Sequence, residues 1–152
     1  MKPRIYADTS VLGGCEDEEF RAASLRLLEA FVQGEFTLVL SELTLRELET
    51  APHPIRALLA QVPLQHTESL SLSPDAEQLA EAYIVDGAIG RSMRVDALHI
   101  ALATIARVDV LVSWNFKHIV NLRRIRAYNA VNLKRGHPLL EIRTPQEVVG
   151  DE

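Results

Sequence analysis

Cysteine is nearly absent from this sequence, since Cys15 is the one cysteine among 152 residues. A single thiol excludes an internal disulfide and any zinc site built from several cysteines. The longest mostly apolar run, residues 97–106, is about half as long as a membrane-spanning helix. The first residues also lack the apolar stretch of a secretory signal. We therefore expect a soluble, cytoplasmic protein with no membrane segment.

Linkers, internal repeats and low-complexity tracts are also missing from the sequence. Hydrophobic residues make up 47% of the chain and charged residues 24%, which is typical of a folded domain and unlike a disordered one. A chain of this length suits one hydrophobic core. We therefore predict a single domain that spans residues 1–150.

Acidic residues are absent from residues 110–140, although the net charge of the whole chain is −5. This segment carries a charge of +6, which leaves −11 on the rest of the chain, and its basic residues are Lys117, Arg123, Arg124, Arg126, Lys134 and Arg135. A basic segment on an acidic body favours a polyanionic partner such as nucleic acid. Ion pairs between these side chains and acids elsewhere in the fold would explain the same pattern, so both interpretations stay open.

Short apolar runs typical of strands alternate with segments of helical periodicity. The sequence predicts strands within residues 4–7, 36–40, 63–72, 109–114 and 140–143. It predicts helices within residues 18–33, 44–50, 55–62, 74–86, 94–106 and 121–135, with capping boxes at Thr44 with Glu47 and at Thr144 with Glu147. This alternation predicts a three-layer α/β/α fold with a central parallel sheet.

Polar side chains follow the predicted strands at their carboxyl ends, where ligands bind in open parallel sheets. Asp8 follows the first strand, Glu47 lies shortly after the second, and Asn115 follows the strand 109–114. Asp96 lies near the start of its own predicted helix. We therefore expect Asp8, Glu47, Asp96 and Asn115 to meet at one edge of the sheet and to form the catalytic site.

A cluster of carboxylates is stable only when it is protonated or holds a cation. Oxygen ligands of this kind suit Mg²⁺ or Mn²⁺, so Asp8, Asp96 and Glu47 are the candidate metal ligands. Such a metal can activate water and neutralise charge on a phosphodiester, which indicates metal-dependent phosphodiester hydrolysis. A purely structural role remains open for each residue: Asp8 and Asp96 as helix caps, Glu47 as a capping-box partner, and Asn115 as a turn residue.

Other chemistries lack their motifs. The sequence contains no phosphate-binding Walker loop, no G-x-G-x-x-G fingerprint and no G-x-S-x-G nucleophile elbow. Its five histidines form no metal-binding pair at helical spacing. His99 and His118 are candidates for proton transfer, with packing as the alternative role.

Four segments together resemble a known family. Residues 5–12 (IYADTSVL), 41–48 (SELTLREL), 95–101 (VDALHIA) and 111–115 (LVSWN) follow one another in the order and spacing of a PIN domain. The sequence is most similar to VapC-like toxins of bacterial type II toxin–antitoxin systems. The resemblance implies a Mg²⁺- or Mn²⁺-dependent endoribonuclease with RNA as substrate, a cognate antitoxin as partner, and a homodimeric state.

The resemblance also implies roles for individual residues. Asp8 and Asp96 match the principal metal-binding aspartates, and Glu47 matches the acidic residue after the second strand. Ser10 and Ser113 match hydroxyl positions that line the site. The basic side chains predicted to contact substrate phosphates are Lys117, Arg123, Arg124 and Arg126.

Asn115 is a departure from the family pattern, which usually has aspartate at this position. Asparagine keeps an oxygen but removes one negative charge. The leading hypothesis is therefore an active ribonuclease, and the alternative is a catalytically weak PIN-fold module that binds RNA or a partner. A phosphoacceptor signalling domain is disfavoured, because that class needs an acidic pair after the first strand and only Asp8 is present.

Overall fold

The computed structural model describes residues 2–150 of the chain. Met1, with which the predicted domain 1–150 begins, lies outside the described residues. None of the helices within residues 2–150 is long and apolar enough to cross a membrane.

Five strands form one sheet, in which every neighbouring pair is parallel. The order across the sheet is β3-β2-β1-β4-β5. The strands are β1 (Arg4–Ala7), β2 (Thr37–Ser41), β3 (Thr67–Leu70), β4 (Val110–Val112) and β5 (Ile142–Arg143). The first strand is therefore central, and the strands whose ends carry Asp8, Ser41 and Ser113 are adjacent.

Eight α-helices lie within the described part of the chain. They are α1 (Thr9–Gly14), α2 (Arg21–Val32), α3 (Glu42–Glu49), α4 (His53–Ala60), α5 (Pro74–Val85), α6 (Arg94–Ile105), α7 (Leu122–Lys134) and α8 (Pro145–Val149). Short 3₁₀ helices at Leu64–His66 and Arg91–Met93 precede β3 and α6.

The strands bury both of their faces, because alternate side chains point to opposite sides of a sheet. Ile5 and Ala7 pack into one apolar cluster with residues of α1 and α2. Tyr6, between them, packs on the other side against residues of α5, α6 and α7. The predicted three-layer α/β/α fold with a central parallel sheet is thereby confirmed.

Helix starts agree with the sequence at some positions and differ at others. Thr144 and Glu147 form the predicted capping box at α8, and the Ser73 hydroxyl caps α5. The capping box predicted for Thr44 and Glu47 was wrong, since α3 begins at Glu42 after Ser41. The Glu47 side chain accepts hydrogen bonds from other elements, and these tertiary partners replace the local one.

No helix was predicted for residues 9–14, although the sequence left open a helix-cap role for Asp8; the short helix α1 begins directly after β1. Asp8 is its N-cap residue and accepts a hydrogen bond from the Ser10 backbone N–H. The cap satisfies an amide that would otherwise lack a partner at the helix start. This sharp strand-to-helix turn fixes the Asp8 carboxylate at the carboxyl edge of the sheet.

Candidate active site

Asp8 is 5% exposed and lies in the centre of the site. Its Oδ1 accepts a hydrogen bond from the Ser10 hydroxyl, and its Oδ2 accepts one from the Ser113 hydroxyl at 2.6 Å. Ser10 also accepts a bond from the Trp114 backbone N–H, and Ser113 accepts one from the Asn115 backbone N–H. Both carboxylate oxygens are therefore held in a fixed orientation, one by a hydroxyl of α1 and the other by the hydroxyl of the residue that follows β4.

Glu47 lies across the site on α3, with its side chain 41% exposed. Its Oε1 accepts hydrogen bonds from the Thr9 hydroxyl at 2.8 Å and from His99 Nε2 at 2.9 Å. Both bonds join the helix α3 to elements far away in the sequence. They leave Glu47 oriented and still open to solvent.

His99 is 2% exposed and connects Glu47 to the buried hydroxyls of β1 and β2. Its Nδ1 lies 2.6 Å from the Tyr6 hydroxyl, which lies 2.7 Å from the Ser41 hydroxyl. A carboxylate can only accept, so Nε2 donates to Glu47; in the neutral ring Nδ1 then accepts from Tyr6. Ser41 completes the row by donating to the phenol oxygen. This assignment gives each of these polar groups a hydrogen-bond partner.

Asp96 lies one turn before His99 on α6 and faces Asn115. The Asn115 Nδ2 donates to Asp96 Oδ2 at 3.4 Å, and the Asn115 Oδ1 accepts from the His118 backbone N–H at 3.0 Å. The amide oxygen of Asn115 thus shapes its own loop, and the amide hydrogens face the carboxylate. The turn role left open for Asn115 is thus present, and the contact with Asp96 is one that the sequence did not predict.

The structure brings the four predicted catalytic residues, Asp8, Glu47, Asp96 and Asn115, to one edge of the sheet. A hydrogen-bonded path leads from Asp8 through Ser113 and Asn115 to Asp96. On the opposite side, Thr9 next to Asp8 binds Glu47, which binds His99 on the same helix as Asp96.

The pKa values of the three carboxylates are shifted in different directions. Burial raises the pKa of Asp8 above its usual value, and the Ser10 and Ser113 hydroxyls offset this only in part. Burial also raises the pKa of Asp96. The hydrogen bond from His99 instead lowers the pKa of Glu47. Two aspartates are therefore costly to ionise without a cation, while Glu47 is held in its charged form.

The donor set at Asp8 and Asp96 fits Mg²⁺ or Mn²⁺. Asp96 is close enough to raise the pKa of Asp8, and Mg²⁺ is commonly held by one or two carboxylates, waters and substrate phosphates. Within residues 2–150, no group of three or more His, Cys, Asp or Glu side chains is arranged to hold a metal ion. Ligation of the metal by Glu47, as a third carboxylate, therefore stays a prediction. The Oε1 atom of Glu47 already accepts hydrogen bonds from His99 and Thr9.

The predicted substrate-contacting residues differ in their surroundings. Ser10 and Ser113 bind Asp8, and Ser113 is fully buried. Arg124 donates to the Ala88 carbonyl at 2.7 Å. Lys117, Arg123 and Arg126 are exposed.

Part of the basic segment is neutralised within the fold, as one of the two sequence interpretations expected. Lys134 and Arg135 both pair with Asp86, at 3.4 Å and 3.6 Å. These two cations lie at the end of α7, away from its first turn. The exposed cations that remain available to a polyanion precede or begin that helix.

Sequence reasoning assigned no part in the site to Tyr6 or to the Thr9 hydroxyl as a partner of Glu47. A signal for Tyr6 was present, because a phenol in a fully buried strand needs a hydrogen-bond partner. Its partner His99 is 93 positions away along the chain. Only the folded arrangement reveals that pairing.

The buried His99 is expected to matter for stability. The His99→Ala protein should lose roughly 2–4 kcal/mol of unfolding free energy, because the substitution creates a cavity and removes the acceptor of the Tyr6 O–H, which keeps only its contact with Ser41. Urea unfolding followed by circular dichroism measures this loss. The exposed His53→Ala serves as the control and should stay within about 0.5 kcal/mol of wild type. Equal stability of both variants would contradict a structural role for the His99 row.

Comparison with known proteins rests on structure. No protein-family model matches the sequence, and no curated protein matches it. A chain of VapBC2 from Rickettsia felis, solved bound to a DNA fragment from its promoter, has a TM-score of 0.57 at 16% identity over 93% of this chain and 98% of that chain. Mycobacterium tuberculosis VapC20, a sarcin-ricin loop cleaving toxin, has a TM-score of 0.56 at 15% identity over 74% of this chain and 91% of that chain.

At these identities the likeness concerns the fold. The chain has the three-layer α/β/α fold of a PIN-like domain. The resemblance to VapC-like proteins is confirmed at the level of the fold.

Proposed function

We propose that this protein is a Mg²⁺- or Mn²⁺-dependent endoribonuclease. The observation that carries the proposal is the convergence of Asp8, Asp96 and Glu47 at the carboxyl edge of the sheet, with two of the three carboxylates costly to ionise alone. VapC20, which shares the fold, is a sarcin-ricin loop cleaving toxin, and this supports RNA as the substrate.

Asp8 and Asp96 are the residues that would hold the metal. When bound, a Mg²⁺ or Mn²⁺ ion supplies charge neutralisation at the phosphodiester and favours deprotonation of water. Ser10 and Ser113 keep the Asp8 carboxylate oriented, and Asn115 does the same for Asp96. Glu47 presents a charged, solvent-facing carboxylate that orients the attacking water or accepts its proton.

We further propose that the protein is the cytoplasmic toxin of a toxin–antitoxin pair and forms a homodimer. The VapBC2 structure with the same fold is a complex with promoter DNA, which supports an antitoxin partner. Exposed leucines supply apolar surface for protein contacts; they include Leu45, Leu64 and Leu133.

The function is tested by cleavage of single-stranded RNA. Wild-type protein purified without an antitoxin should cut a labelled RNA in Mg²⁺ or Mn²⁺ and stop when a chelator is added. Cleavage that continues in chelator would contradict metal dependence. Absence of cleavage across varied RNAs would favour a binding module instead.

Asn115 is the observation that favours the binding module as a second candidate function. Its amide donates to Asp96 and so partly stabilises that charge without a cation. A site with asparagine at position 115 carries less negative charge than one with aspartate there, and it therefore depends less on a metal for its stability. The response of the protein to metal therefore separates the two candidates.

Replacing Asp96 tests the metal site through stability. In chelator, the Asp96→Asn protein should melt about 2–4 °C above wild type, since a gain of about 1 kcal/mol has that effect in a domain of this size. The gain is expected because burial disfavours the Asp96 charge, while asparagine can still accept from Asn115. Mn²⁺ should raise the melting temperature of wild type more than that of the variant.

The matched control for this measurement is Asp75→Asn, which changes an exposed aspartate in the first turn of α5. It should keep the full Mn²⁺ response. An Asp96→Asn protein that responds to Mn²⁺ as wild type does would remove Asp96 from the ligand set.

A further inference from the structure

Three aromatic rings form a cluster beside the site and are not used by the chemistry described above. Trp114 stacks on Phe20 with a ring-centroid distance of 4.3 Å and an interplanar angle of 20°. Phe116 lies 6.1 Å from Phe20 and 6.2 Å from Trp114. We call these three residues the aromatic cluster. Asn115, which binds Asp96, lies between two of its members in the sequence.

The base of the cluster is fixed in place. The Trp114 indole N–H donates to the Ser24 hydroxyl at 2.8 Å, while the Trp114 backbone N–H donates to Ser10. Gly14 makes room for this arrangement, since a Cβ at that position would lie 2.7 Å from the indole nitrogen and 2.5 Å from the Ser24 hydroxyl. The indole is therefore held by its partners on α2 and by the close approach of α1.

Phe116 is the member of the cluster that remains open, with 50% of its surface exposed. The ring of Phe116 is half exposed to water, lies beside two other rings and is adjacent to a site residue. A flat apolar group can stack on such a surface. Nucleobases stack on such rings in single-stranded nucleic-acid binding, and aromatic residues contribute about 1–3 kcal/mol per base.

Charge on the two sides of the cluster restricts how a nucleic acid can lie on it. Lys117 follows Phe116 and is exposed, whereas the acidic residues 16–19 directly precede Phe20 and are also exposed. Phosphates are attracted to the side of the cluster that carries Lys117 and repelled from the side that carries residues 16–19. The charges thus favour a strand whose backbone follows Lys117 while a base covers Phe116.

We propose that Phe116 is a specificity-determining residue that stacks an unpaired base of single-stranded RNA next to the cleavage site, with Lys117 holding an adjacent phosphate. This inference rests on the proposed function for the identity of the substrate, but it concerns binding, which is measurable without cleavage. It predicts a preference for unpaired RNA, because a base within a duplex presents no free face.

The test measures RNA binding by the wild-type chain in chelator, where the proposed nuclease is inactive. Fluorescence anisotropy with a short labelled single-stranded RNA should give an affinity about 10-fold lower for Phe116→Ala and nearly unchanged for Phe116→Tyr. Stacking should also alter the emission of Trp114, which is the one tryptophan of the chain. The control Leu139→Ala removes an apolar side chain that is 63% exposed and precedes β5, at the amino-terminal edge of the sheet, and this variant should bind as wild type does.

A second probe separates stacking from a general loss of binding. The same RNA with abasic sites keeps its phosphates but has no bases, so Phe116→Ala should bind it as well as wild type does. Unchanged affinity of Phe116→Ala for the intact RNA would overturn the proposal and leave Phe116 as a surface for a protein partner. Phe116-dependent binding by a protein that never cleaves RNA would support this inference and contradict the nuclease, whereas cleavage without Phe116 dependence would do the reverse.

Discussion

RNA cleavage by Asp8→Asn protein is expected to fall about 1,000-fold or more below that of wild type. The variant removes one of the two carboxylates proposed to hold the metal, and a bound metal contributes several kcal/mol of transition-state stabilisation, with about 1.4 kcal/mol for each factor of ten. Asparagine caps a helix as well as aspartate does, so α1 should still begin at Thr9. The Ser10 and Ser113 hydroxyls can rotate to suit an amide.

Parallel assays of wild type, Asp8→Asn and the exposed control Asp75→Asn measure this loss on one labelled RNA. Circular dichroism of all three proteins checks that each is folded. The control should cleave at the wild-type rate. Equal cleavage by wild type and Asp8→Asn would reveal a contaminating nuclease and would contradict the assignment of RNA cleavage to this site.

Asn115→Asp is expected to make the site more dependent on metal. The new carboxylate keeps an oxygen for the His118 backbone N–H, but it turns the donor that faces Asp96 into a second negative charge. In chelator, the melting temperature should fall by about 2–4 °C, which corresponds to about 1 kcal/mol of repulsion. In saturating Mn²⁺, a tenfold gain in metal affinity would add about 1.4 kcal/mol and restore the loss.

Thermal unfolding across a Mn²⁺ titration measures both effects, and RNA cleavage by the same samples shows whether tighter metal binding raises the rate. Asn115→Ala removes the amide without adding charge and should show a weaker metal response than Asn115→Asp. A titration in which Asn115→Asp and wild type coincide would mean that this position does not face the metal.

The elements that local sequence specifies were largely predictable. Continuous apolar runs indicated buried parallel strands, and β2 lies within one residue of its predicted position at each end. The capping box at Thr144 is confirmed. It was predictable because all its hydrogen bonds lie within four residues. The Thr44 and Glu47 spacing was misleading for the opposite reason, since Glu47 gains stronger partners on other elements.

The aromatic residues around Asn115 also combine a local feature that the sequence shows with a distant contact that it does not. The sequence places Trp114 and Phe116 on either side of Asn115, but it does not indicate which of the two rings is covered and which is exposed. Phe20, almost a hundred positions earlier, completes the cluster by stacking on Trp114. The exposed ring of Phe116 becomes visible as a surface only once that distant partner is in place.

The sequence by itself determined the parallel α/β architecture and the placement of Asp8 and Asn115 at strand ends, because strand periodicity and strand termination are local properties. Tertiary structure decided which groups those residues bind. Ser113 reaches Asp8 across 105 positions and His99 reaches Glu47 across 52. Hydrogen bonds between such distant residues depend on the strand order and on the helices α3 and α6, which carry Glu47 and His99 to the same edge of the sheet. The bond from His99 favours the charged state of Glu47, and the bond from Asn115 to Asp96 directs the Asn115 amide hydrogens; no local pattern encodes either contact.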